Sequence, residues 1–121
     1  MGKKTIVLGA SASPYRYSYM AANRLKNNGH DTVLIGKKKE DFDGDVILDD
    51  WPADESEIDT ITMYLSPRNQ KEYYDKIRGS GAKRLIFNPG SENEELASEA
   101  REAGIEVIEA CTLVMLSTAQ Y

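Results

Sequence analysis

The chain has one cysteine, one histidine and one tryptophan. A lone cysteine excludes an intrachain disulfide and any zinc site built from several thiolates. A lone histidine leaves little room for a Ser-His-Asp or Cys-His arrangement, because each needs a base of that kind. His30 also stands in a G-H-D turn that leads into a strand, where it reads as a solvated turn residue. No apolar run approaches the ~18 residues of a membrane-spanning helix. The start, M-G-K-K-T-I-V-L-G, enters a strand pattern at once and shows no apolar signal core. Together these absences lead us to expect a cytoplasmic protein with no membrane contact. Positive charge is also scarce: the formal net charge is −5. Nucleic acid is therefore not the expected partner, since phosphate backbones select basic surfaces. With 121 residues the chain is expected to form a single domain over 1–121.

What is present alternates. Thr5–Leu8 (T-I-V-L) is a continuous apolar run, as suits a strand buried on both faces. The pattern then predicts a helix over Tyr19–Asn28, with Ser18 as N-cap and Gly29 just past its end. Further strands are expected at Asp31–Ile35, at Val46–Leu48 on an edge, at Asp59–Leu65, at Arg84–Phe87 and at Ile105–Ile108. Ser66-Pro67 opens a helix that closes near Gly79 or Gly81. Ser91-Glu92-Asn93-Glu94 fits a capping box ahead of a helix carrying Leu96, Ala100 and Ala103. Residues 110–118 read as a final apolar helix. Such alternation implies an α/β, Rossmann-like three-layer αβα domain: a mostly parallel, doubly wound sheet of five to six strands.

In such sheets ligands bind beyond the carboxyl ends of the strands, where strand order reverses. Four segments leave that edge: Gly9–Ser18, Gly36–Lys39, Ser66-Pro67-Arg68 and Asn88–Asn93. Their small residues, hydroxyls, Arg16, Arg68 and the triplet Lys37-Lys38-Lys39 suit phosphate and polar ligand groups. The first loop, L-G-A-S-A-S-P-Y-R-Y-S-Y, has only Gly9 where a G-x-G-x-x-G fingerprint needs glycine again at 11 and 14, occupied here by Ser11 and Pro14. That argues against standard NAD binding. So does the second strand, which ends in I-G-K-K-K and not in the acidic residue that NAD binders aim at the ribose. A cationic cluster at that point suits a ribose phosphate, which NADP and coenzyme A both carry. From Glu40 to Asp59 there are ten acidic residues and no Lys or Arg, and this run reads as solvated surface.

Three motifs, G-A-S-x-x-P-x-R-x-S-Y at Gly9–Tyr19, N-P-G-S-E-N-E-E at Asn88–Glu95 and A-C-T-L-V-M-L-x-T at Ala110–Thr118, resemble the small bacterial CoA-binding domain proteins, relatives of the CoA-binding domain of the succinyl-CoA synthetase α subunit. The resemblance implies a Rossmann-like fold holding CoA at the carboxyl edge of the sheet. It implies that Gly9, Ala10 and Ser11 contact the diphosphate through backbone N–H and hydroxyl groups. Arg16 faces the phosphates, and Lys37 and Lys38 lie near the 3′-phosphate. Ser66, Pro67 and Arg68 line the ligand, and Asn88 and Gly90 border the pantetheine arm. Ser13 stands where the family has Asn before the proline and keeps a short polar side chain there. The segment I-G-K replaces a V-N-P-like one and removes a proline that shapes the adenine pocket.

The expected function is non-catalytic binding of CoA or acyl-CoA, a small nucleotide ligand. Two alternatives remain from the residues alone: a small NADP-binding oxidoreductase or its subunit, and an interaction protein that has lost nucleotide binding. The sequence carries no signal for a protein partner or homo-oligomer. No catalytic residue and no metal ligand is expected, and Cys111, among Ala, Leu, Val and Met, reads as a small buried hydrophobe.

Overall fold

The structure, a computed structural model, describes residues 2–121. The strands are β1 (Thr5–Leu8), β2 (Thr32–Ile35), β3 (Glu40–Phe42), β4 (Asp45–Leu48), β5 (Thr60–Met63), β6 (Arg84–Phe87) and β7 (Glu106–Glu109). They form one sheet in the order β3-β4-β2-β1-β5-β6-β7. All neighbours run parallel except β3, which is antiparallel to β4. The helices are α1 (Tyr17–Asn27), α2 (Pro67–Gln70), α3 (Tyr74–Arg78), α4 (Glu94–Glu102) and α5 (Thr112–Ser117), with a 3-10 turn at Lys71–Tyr73 between α2 and α3. The fold is the expected α/β Rossmann-like one.

The central strands β1, β5 and β6 are buried at every position. Alternate residues therefore build two cores. On one face Ile6, Leu8, Ile61, Met63, Leu85 and Phe87 pack with Ile77 of α3 and with Leu96, Ala97 and Ala100 of α4. On the other, Val7, Leu34 and Ile47 pack with Ala22 and Leu25 of α1. Helix α1 crosses the sheet with small residues, Ala21 and Ala22, fully buried against it.

Several expectations are corrected. Among the described residues there are seven strands, not five to six, because β3 hides in the acidic run. Phe42 anchors it, 2 % exposed, and the ring lies 5.1 Å from that of Tyr19. The turn back to β4 is Asp43-Gly44, with φ of 41° and 83°. Two successive positive φ values are what a two-residue type I′ hairpin requires, and D-G is its usual sequence. Strand β4 is therefore internal to the sheet, with β3 at the edge. Helix α1 begins two residues early, with Arg16 in the N-cap position and no side-chain cap; Ser18 is buried inside its first turn. Ser91 does not cap α4. Asn93 does, its side chain accepting from the Leu96 N–H at 3.2 Å. The helix expected from Ser66 to Gly79 is broken because Gln70 turns fully inward. Its Nε2 donates to the carbonyls of Leu65 and Ser91, both at 2.8 Å. His30 is half-buried, not a freely solvated turn residue. Its Nδ1 accepts from the Lys3 N–H at 2.9 Å and its ring meets Tyr121 edge-on at 4.9 Å. Cys111 is half-buried at the N-cap of α5.

Gly36, just past β2, is the tightest point of the sheet's upper edge. A Cβ there would lie 2.5 Å from the Ala10 carbonyl oxygen and 2.9 Å from Ile47 Cγ2. Overpacking of this kind costs about 1–3 kcal/mol, so Gly36→Ala is expected to lower stability by that amount in chemical denaturation. Gly79→Ala, whose Cβ meets only the Asp75 oxygen at 3.4 Å, is the control expected to leave it nearly unchanged.

His30 generates a second expectation. Burial holds its pKa below the usual value, and Lys3 and Arg84 push the same way. The unfolded chain therefore takes up this proton first as pH falls. The stabilisation from neutral His30 is present above the unfolded value near 6.5 and is lost as pH drops from there toward the folded value. Urea unfolding at pH 7.5 and 5.5 should show a larger loss for the wild type than for His30→Asn.

Candidate functional site

Chain order reverses beside β1: its next strand, β2, lies on one side and β5 on the other. The loops after β1, β2, β5 and β6 meet above this point and wall a cleft of about 540 Å³. That volume lies in the range of small-molecule sites. A smaller recess of about 240 Å³ adjoins it, sharing Gly9, Lys37, Leu65 and Asn69 and adding Gly36, Asp49, Glu72 and Tyr73. Another groove, about 470 Å³, lies between α1 and α5, away from the carboxyl ends of the strands.

The first loop is built on Gly9. Its φ is 100°, and a Cβ would come within 3.0 Å of Leu65 N and of the Tyr64 carbonyl carbon. Glycine is thus needed both for the turn and for the close approach of the loop after β5. The Gly9 and Ala10 N–H groups both donate to the Ile35 carbonyl at 2.8 Å. This corrects the expectation that they serve a diphosphate: both are already engaged. Among the described residues the next two N–H groups, of Ser11 and Ala12, have no protein partner. The Ser11 hydroxyl oxygen accepts from the Ser13 N–H at 3.1 Å, so its own proton remains free to donate.

Eight of the expected site residues come together here: Gly9, Ala10, Ser11, Arg16, Lys37, Lys38, Ser66 and Gly90. Arg16, Lys37 and Lys38 are exposed and have no ion-pair partner among the described residues, so three cations stand at the lip of the cleft against one lining carboxylate, Glu40. Four expected residues do not line it. Ser13 accepts the Arg16 N–H at 3.1 Å through its carbonyl and shapes the loop. Pro67 opens α2, and Arg68 is exposed on that helix. Asn88 is 1 % exposed and faces inward.

Asn88 holds the roof of the site. Its Nδ2 donates to Thr62 Oγ1 at 2.8 Å and to the Met63 carbonyl at 3.0 Å, and its Oδ1 accepts the Thr112 N–H at 2.8 Å. The Thr62 and Thr112 hydroxyls bond each other at 2.8 Å. One buried amide thus joins β5, β6 and the start of α5. The Tyr64 hydroxyl lies close to these threonines yet outside hydrogen-bond geometry, buried and without a partner. Burial pushes its pKa up to about 12, so the phenol is neutral at any ordinary pH.

The cleft also contains Pro89 of the expected Asn88–Asn93 segment and four residues not expected from sequence: Glu40, Tyr64, Leu65 and Asn69. Asn69 is within reach because its Nδ2 donates to Ser66 Oγ at 3.0 Å, which draws it to the start of α2.

An open parallel sheet with a cation-lipped cleft at its switch point defines a Rossmann-like nucleotide-binding domain. The CoA binding domain family matches residues 3–117, and the chain belongs to it. The family supports coenzyme A, in general terms, as the ligand. A crystal structure of an uncharacterized protein is 45 % identical, with a TM-score of 0.95, covering 100 % of this chain and 99 % of that one. A hypothetical protein from Pyrococcus horikoshii OT3 is 24 % identical with a TM-score of 0.87, covering 97 % and 83 %. A protein from Thermus thermophilus is 18 % identical with a TM-score of 0.85, covering 99 % and 91 %. The last two are alike in fold alone. No curated protein matches the chain. No helix among the described residues is long and apolar enough to cross a membrane.

Removing the Asn88 amide leaves the Thr112 N–H without a partner, while the Thr62 and Thr112 hydroxyls keep their bond to each other. A buried donor orphaned in this way costs about 1–3 kcal/mol, so Asn88→Ala is expected to lose about that much stability in denaturant titration. A residue that merely bordered a ligand would leave the stability of the free protein unchanged.

Proposed function

We propose that this chain is a non-catalytic module that binds CoA or acyl-CoA in the cleft above β1 and β5. The observation that carries the reading is the division of donors around that cleft. The free Ser11 N–H and hydroxyl stand on the β1 loop, while unpaired Lys37 and Lys38 stand on the β2 loop. A diphosphate suits the first set and Arg16; a ribose phosphate suits the second. The adjoining recess, with Asn69, Asp49 and Glu72, offers acceptors and an amide to a nucleobase. The pantetheine arm then leaves over Ser66, Pro89 and Gly90, on the side where Tyr64 and Leu65 supply apolar wall. The fit is to an extended, multiply charged nucleotide, and CoA answers to it through the family.

Isothermal titration of protein stripped of bound nucleotide tests the reading, with CoA, 3′-dephospho-CoA and NADPH in parallel. CoA should bind, and loss of the 3′-phosphate should weaken it about tenfold, the scale of one charge-assisted contact. Lys37→Ala and Lys38→Ala should each reduce that difference. Tighter binding of NADPH than of CoA would move the reading to the dinucleotide alternative. No nucleotide binding, with stable protein complexes in its place, would favour an interaction domain.

A further inference from the structure

The lysine side of the cleft contains one group that a simple phosphate site would exclude. Glu40 lines the wall together with Lys37, Lys38 and Arg16. It is half-buried, and among the described residues it makes no ion pair with any of the three. Its position is fixed by the hairpin. Glu40 pairs with Ile47 across the β3–β4 ladder, and by strand alternation it shares a face with Phe42. Phe42 is locked in the core beneath Tyr19. A slip of one residue would expose Phe42, so the carboxylate cannot leave this face cheaply.

A carboxylate can only accept hydrogen bonds, and an ammonium group can only donate them. A wall with both therefore fits a ligand that presents an anion and a neutral donor side by side. A ribose phosphorylated on one hydroxyl and free on its neighbour has that arrangement: the phosphate for the lysines, the vicinal hydroxyl proton for the glutamate. Nucleobase donors are served separately by Asp49 and Asn69 in the adjoining recess. We infer that Glu40 is a specificity-determining residue, accepting a hydrogen bond from the free ribose hydroxyl beside the phosphate that Lys37 and Lys38 hold. The inference rests on the CoA reading above, in which that hydroxyl is the ribose 2′-OH.

Two small probes isolate the contact: adenosine 3′,5′-bisphosphate and its 2′-deoxy form, which differ only in that hydroxyl. The wild type should bind the ribo probe about tenfold more tightly, as expected for a hydrogen bond to a charged group. In Glu40→Ala the two probes should bind within about twofold of each other. The deoxy probe should bind this variant at least as well as it binds the wild type, because a like charge near the phosphate is gone. Glu40→Gln, which keeps an acceptor oxygen without the charge, should fall between. Wild-type binding of both probes within twofold would overturn the inference, and this comparison holds even if a Glu40 variant fails to fold. An equal change for both probes in Glu40→Ala would also overturn it, assigning the residue a purely electrostatic effect. If CoA itself does not bind the wild type, the underlying reading fails and takes this inference with it. CoA binding without ribo/deoxy discrimination overturns this inference alone.

Discussion

The Ile35 carbonyl, accepting from both Gly9 and Ala10, is the constraint around which the site is organised. It ties the loop leaving β1 to the end of β2 before either chain has turned away. Gly36 then passes flush against the Ala10 carbonyl, leaving no space for a side chain. On the other flank Gly9 lies against the backbone at Tyr64 and Leu65. Three strand ends are thus clamped at van der Waals distance. The cleft is the space their loops leave once clamped, so its shape follows from backbone contacts that substitutions of its lining side chains need not disturb.

The fold was legible because its central strands are buried on both faces. I-V-L of β1 and L-I-F of β6 are continuous apolar runs that fit parallel strands, and the helices between them follow. What escaped has a consistent cause. Strand β3 is E-D-F, three residues with one apolar anchor, too short for alternation to show against a run of acids. Ser18 and Ser91 have the right residue type for caps, but both are buried, and Ser91 donates to the Asn88 carbonyl. Cap preference is local: Ser18 is buried inside the first turn of α1, and Ser91 bonds back within its own turn.

The candidate site was legible in its loops and only partly in its residues. Strand ends locate the loops, and charge singles out Arg16, Lys37 and Lys38. Orientation is a different matter. Asn88 and Gly90 stand two residues apart in one turn, yet one faces the core and the other the cleft. Glu40 enters from a strand that the pattern did not resolve, and Asn69 from a helix that was expected but whose orientation the pattern could not give. Nor can a sequence show that the Gly9 and Ala10 N–H groups are already bonded, since that depends on the register between β1 and β2.

The same hydrogen-bond accounting explains why a loop with one glycine can serve a phosphate ligand. In a three-glycine fingerprint the backbone itself approaches the anion, and bare N–H groups do much of the binding. Here Gly9 provides the turn, but its N–H and its neighbour's are committed to Ile35. Free donors begin only at Ser11, and Pro14 has none to add. Few neutral donors remain, so attraction for an anion must come from Arg16, Lys37 and Lys38, which make no ion pair among the described residues although the chain is acidic overall. A backbone cradle recognises a diphosphate by its shape, whereas cations at the lip respond to the number and placement of phosphates. On the proposed reading, selectivity therefore rests more with Lys37 and Lys38 after β2 than with the first loop.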